Sequence, residues 1–128
     1  RANGFHWRTM DEVMERGLNA VVDEAIAFAQ SRAPRVYLTV DIDVLDPAFA
    51  PGTGTPEPGG LSTRELLPVI RRIARTVNLC SMDIVEVSPP YDHADITAMA
   101  AHRIVLETVT GIALHKTGQC ERPQRSLN

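Results

Sequence analysis

The feature that most constrains this chain is Val36-Tyr-Leu-Thr-Val-Asp-Ile-Asp-Val-Leu-Asp-Pro47, which runs into the turn-rich Ala50-Pro-Gly-Thr-Gly-Thr-Pro-Glu-Pro-Gly-Gly60. A β-favouring apolar run that ends in carboxylates and then in turn residues reads as a buried strand delivering Asp41 and Asp43 to a sheet edge. Strand side chains alternate between faces, so the two acids are expected to point the same way, with Cα atoms roughly 6.5 Å apart at a rise of about 3.3 Å per residue. Two carboxylates aimed at one point repel each other. A cation between them, or a proton kept on one of them, relieves the repulsion; a metal is the commoner answer.

The flanking segments alternate helix and strand. Thr9-Met-Asp-Glu12 spells a capping box, and apolar residues from Met10 through Val13, Met14, Leu18, Val21, Val22, Ala25 and Ile26 to Ala29 recur at helical spacing. One surface helix is expected, ended by Pro34. After the loop, Leu61-Ser-Thr-Arg-Glu-Leu66 combines a second capping box, Ser62 with Glu65, and a hydrophobic staple. That helix should run to about Thr76, with Pro68 as a local conflict. Leu79-Cys-Ser-Met-Asp-Ile-Val-Glu-Val87 reads as a second strand, bringing Glu86 to its C-terminal end. A long helix follows from about Asp95 to His115, apolar nearly all round, as expected of a buried helix or a subunit contact. This order implies a parallel sheet with right-handed crossovers, hence an α/β fold of three α/β/α layers with both sheet faces covered. In such sheets ligands bind outside the carboxyl ends of the strands, where both acidic ends point.

At 128 residues the chain is long enough for one cored domain, here residues 1–118, with 119–128 a tail. A formal net charge of −3 with scattered arginines argues against a nucleic-acid or anionic-membrane partner. No apolar stretch approaches the ~20 residues that span a bilayer, so the cytoplasm is the expected compartment. Cys80 and Cys120 have no metal-ligand or disulfide spacing and read as reduced thiols. The start at Arg1, without Met, suggests the cropped end of a longer protein.

Taken together, Asp41-Ile-Asp-Val-Leu-Asp-Pro47, the Gly52–Gly60 loop and Asp83-Ile-Val-Glu-Val87 resemble the C-terminal half of the arginase/agmatinase ureohydrolase family. The resemblance runs from about Arg35 to Gly118. Pro90-Tyr-Asp-His-Ala-Asp-Ile-Thr97 is similar to the agmatinase-type branch, which implies a guanidino substrate other than arginine, cleaved to an amine and urea. It also implies two Mn²⁺ ions, with Asp41 bridging both and Asp43 binding one. Carboxylates suit such hard ions, and a close metal pair acidifies a shared water. Glu86 would accept paired N–H groups of the guanidinium, Thr55 would shape the pocket, and His93 stands between a substrate contact and a solvated loop. The family's earlier histidine and Asp-x-His-x-Asp ligands are absent, so the remaining ligands are expected outside this chain. No residue matches the general acid. The 128-residue piece alone should bind manganese weakly and be inactive.

Two other classes fit parts of the pattern. A strand followed by Asp-x-Asp also resembles Mg²⁺-dependent haloacid-dehalogenase-type phosphatases, although the Gly-Thr-Gly-Thr-Pro loop is foreign to them. A non-catalytic oligomerisation module is the third reading, and the helix after Asp95 supports a homo-oligomer in either case. Of the remaining polar residues, Asp46 reads as a turn cap before Pro47, Thr53 and the loop glycines as turn residues, and His6, His102 and His115 as packing or surface groups.

Overall fold

Thr9 opens the first helix as its spelling requires. In the computed structural model, which describes residues 3–118, the Thr9 hydroxyl accepts the Glu12 N–H and the Glu12 carboxylate accepts the Thr9 N–H. The expected tail and Cys120 lie outside the described residues. The single helix read from the apolar periodicity is two: α1, Met10–Arg16, and α2, Leu18–Arg32. Gly17 separates them at φ 84, ψ 137, a backbone conformation that only glycine adopts without strain. Periodicity runs through the break because it records apolar spacing and not dihedral angles. α1 buries none of its residues, and Met14 is 78% exposed, whereas α2 buries Val21, Val22 and Ile26.

Two strands, β1 (Val36–Asp41) and β2 (Leu79–Val85), pair in parallel with Leu38 opposite Met82 and Val40 opposite Ile84. Parallel pairing demands a crossover, supplied by α3, Thr63–Thr76. Its start is the second reciprocal cap: Ser62 accepts the Glu65 N–H, and Glu65 accepts the Ser62 N–H. Pro68 is carried inside α3. The last helix, α4, covers Ile96–Thr117.

Val40, Ile42, Leu45, Leu66, Ile70, Ala100 and Ile104 form the main core, and Val22, Ile26, Val69 and Val77 a second one. Leu38 borders the first and Val36 the second, so both cores rest on one side-chain parity of β1. The other parity, Tyr37, Thr39 and Asp41, is exposed. The expectation of a buried β1 is therefore corrected: among the described residues helices cover one face of the sheet. The parallel α/β arrangement is as read from the sequence. α4 is likewise less buried than its composition suggested. Ala100, Ile104 and Thr108 face inward, while Ile96, Met99, Val105, Leu106 and Val109 are exposed. No helix among the described residues is long and apolar enough to cross a membrane.

One charge is deeply buried between α3 and α4. Glu107, 2% exposed, accepts hydrogen bonds from Arg71 and from Arg103 Nε, the latter at 3.0 Å. The Arg71 guanidinium foremost, with Arg103, holds its carboxyl below the usual range against the opposing effect of burial. A depressed folded-state pKa contributes stability above the unfolded pKa of about 4.3, lost as pH falls through the folded value. Glu107→Gln should therefore lower stability by about 1–3 kcal/mol at neutral pH. The deficit relative to the wild type should shrink as pH falls below about 4, measured by urea unfolding across pH.

Candidate active site at the strand ends

β1 stops at Asp41, and Asp43 does not continue it. Ile42–Val44 form a 3-10 turn whose N-cap is Asp41, with its Oδ1 accepting the Asp43 N–H at 3.2 Å. Strand alternation is thus not what brings the acids together, which corrects the sequence argument. Ile42 is fully buried and anchors the turn, and the Asp41 carboxylate satisfies the N–H of Asp43, two residues beyond the strand end. The Asp41 carboxyl is raised above its usual value by burial first, then by its contact with Asp43 and by the charges of Asp43 and Glu86; the Asp43 N–H pulls the other way. Asp41, Asp43 and Glu86 therefore share one field of like charge.

Thr55 joins this group, donating its hydroxyl to Asp43 Oδ2 at 3.2 Å. Glu86 sits just past β2 at φ 63, the left-handed region that costs a non-glycine residue roughly 1–2 kcal/mol. Gly54 lies beside it: a Cβ at that position would stand 4.0 Å from Glu86 Oε2. The loop thus spans from Asp43 to Glu86. His93 is exposed, and its ring makes no hydrogen bond among the described residues; its backbone N–H donates to Asp92 and its carbonyl accepts the Ile96 N–H.

Asp46 is the turn residue its position before Pro47 suggested. Its carboxylate accepts the Ala48 and Gly59 N–H groups, both at 2.9 Å, and these hold it below the usual range. The loop is thereby closed at its base, where Leu61 N–H also reaches Val44 O.

Asp92 went unread in the sequence. It accepts the N–H groups of His93, Thr97 and Ala98, each at 2.9 Å. Burial raises its carboxyl, but the Thr97 and Ala98 N–H groups outweigh that and leave it lowered. The signal was available: a short acidic side chain ahead of a helix start is a capping candidate. Asp95, where the helix was expected to begin, instead takes φ 58 and caps nothing with its side chain. Thr53, read as a turn residue, is 3% exposed, and its hydroxyl has no hydrogen-bond partner among the described residues.

Asp41 and Asp43 offer the oxygen donors that hard divalent ions take. No group of three or more His, Cys, Asp and Glu among the described residues is arranged to hold a metal. The donors fit in kind and fall short in number. A cavity of about 420 Å³ lies elsewhere, lined by His6, Arg8, Glu24 and Phe28, and none of the strand-end acids borders it.

Residues 1–111 match the model of the arginase family. The chain belongs to the arginase family. It is 48% identical over 105 residues to an agmatinase from Proteus mirabilis, covering 82% of this chain and 33% of that protein. Among solved structures it matches the proclavaminate amidino hydrolase of Streptomyces clavuligerus at a TM-score of 0.82 and 43% identity, over 90% of this chain and 38% of the other. The formimidoylglutamase of Bacillus subtilis matches at a TM-score of 0.80 and 38% identity, over 84% and 34%. The chain thus carries part of the ureohydrolase α/β fold and spans about a third of the length of the curated relatives it matches. The family match favours neither the phosphatase reading nor the purely structural one.

The backbone at Glu86 yields a direct test of strain. Glu86→Gly should leave the thermal midpoint level or raised, since relief of about 1–2 kcal/mol offsets the 0.5–1 kcal/mol that glycine's unfolded-state freedom costs. Glu86→Val should lower it, because a β-branched residue is poorly tolerated at positive φ.

Proposed function

We propose that this chain supplies the acidic part of the active site of a manganese-dependent amidinohydrolase, which cleaves a linear, agmatine-like guanidino compound to an amine and urea. The observation that carries the reading is the convergence of Asp41, Asp43 and Glu86 at the strand ends in a chain of the arginase family. Asp41 and Asp43 would give carboxylate oxygens to two Mn²⁺ ions, with the other ligands coming from outside residues 1–128. Such a metal pair supplies an acidified water as the nucleophile near neutral pH.

The chain's own residues divide the remaining work. Glu86 accepts the paired N–H donors of a guanidinium, a match of two planar groups that fixes the carbon's orientation as well as its position. Its left-handed backbone turns it out of the strand and toward the loop, and Gly54 leaves its carboxylate uncovered on that side. Thr55 holds Asp43 by one oxygen, leaving the other for a ligand. His93, exposed before α4, would meet the substrate's far end. The relatives' names, agmatinase, amidino hydrolase and formimidoylglutamase, all denote cleavage at an amidine-type carbon, which supports the reaction class and leaves the far end of the substrate open. The exposed apolar stripe of α4 supports assembly into a homo-oligomer.

The test is urea release by the full chain with Mn²⁺ and a panel of agmatine, guanidinobutyrate and arginine. Agmatine-like compounds should be turned over and arginine poorly. Glu86→Gln should lower kcat/KM by roughly 100-fold or more, the loss expected for a desolvated charged pair. Chelation should abolish turnover and Mn²⁺ restore it. Absence of urea from every guanidino compound in the metal-loaded full chain would overturn the proposal.

A further inference from the structure

The loop that spans Asp43 and Glu86 is held at its near end by one buried hydroxyl. Thr97, 0% exposed, accepts the Gly52 N–H on its Oγ1 at 2.7 Å. The Thr97 and Ala98 N–H groups in turn donate to Asp92, which fixes the backbone that carries this hydroxyl. On its other side Gly52 accepts the Ser88 N–H at 2.8 Å, two residues past Glu86. The fit leaves no slack: a Cβ on Gly52 would lie 2.7 Å from Asp92 Cβ and 2.9 Å from Thr97 Oγ1. Gly52 is thus gripped between the end of β2 and the start of α4.

We propose that Thr97 is a positioning residue, a clasp whose buried hydroxyl fixes Gly52 and thereby sets the loop that presents Thr55 to Asp43 and passes beside Glu86. It touches none of the candidate ligands itself. Its action is geometric: a 2.7 Å hydrogen bond in a buried setting is costly to leave unmade. Asp46 and the Val44–Leu61 pairing fasten the base of the loop, whereas Gly52 is held by Thr97 on one side and by the Ser88 N–H on the other. The kinetic consequence rests on the proposed function; the clasp itself does not.

Thr97→Val keeps the shape, removes the hydroxyl and strands the Gly52 N–H. Thr97→Ser keeps the hydroxyl and removes only a methyl group. In the full chain, hydrogen exchange followed by mass spectrometry should show residues 50–56 exchanging about tenfold faster in Thr97→Val, near the value of one buried hydrogen bond. Residues 63–76 of α3 should be unchanged, and Thr97→Ser should return the loop to wild-type rates. In the urea assay Thr97→Val should raise KM by about tenfold or more, with Thr97→Ser near wild type. Unchanged loop exchange in Thr97→Val overturns the clasp. So does acceleration of the loop and α3 together, or failure of Thr97→Ser to rescue. If the wild type releases no urea, the proposed function fails, and the exchange data still decide the clasp.

Discussion

A chain that leaves a strand or enters a helix strips backbone N–H groups of their ladder partners, and such groups must find another acceptor. In this protein short polar side chains at the element ends do that work almost everywhere. Thr9 and Glu12 close the start of α1, and Ser62 and Glu65 the start of α3. Asp41 takes the Asp43 N–H just beyond β1, Asp46 pins both sides of the loop, and Asp92 reaches forward to the Thr97 and Ala98 amides of α4. Removing these acceptors would leave the helices with their apolar faces but the connections without fixed paths, and the strand-end geometry is made of connections.

The acids then separate into two kinds by their surroundings. Asp46 and Glu65 are pulled below the ordinary carboxylate range by the groups that donate to them, and Asp92 and Glu107 are lowered in spite of burial. Each has its charge answered within the fold. The Asp41 carboxyl is shifted upward, by burial first and then by the neighbouring Asp43 and Glu86. A carboxylate raised by burial and by neighbouring acids gains from a nearby cation, which supports the proposed role of Asp41. Glu86 adds stored backbone strain at the same place, φ 63 on a residue with a full side chain, the sort of local cost that persists where the surroundings over-determine the conformation.

The open sheet face fits this division. Tyr37, Thr39 and Asp41 stand exposed on one parity of β1, and Tyr37 donates to Asp83 on the neighbouring strand. That face carries hydroxyls and carboxylates where the opposite one carries Leu38, Val40, Met82 and Ile84. The polar groups of the sheet and the acids at its end therefore look outward together, while α2, α3 and α4 supply the cores on the opposite face.

By itself the sequence determined the helix–strand order, both capping boxes, the parallel crossover, the structural role of Asp46 and the grouping of Asp41, Asp43, Thr55 and Glu86. The local features are written in short windows: a capping box is four residues wide, an apolar strand about six, and a loop of glycine and proline marks itself. The tertiary structure decided the rest. It broke the first helix at Gly17, ended β1 at Asp41, turned Glu86 through a left-handed backbone, and bound Gly52 to Thr97 across forty-five residues. These depend on which dihedral angles and distant partners survive packing, and neither is recorded in the spacing of apolar residues.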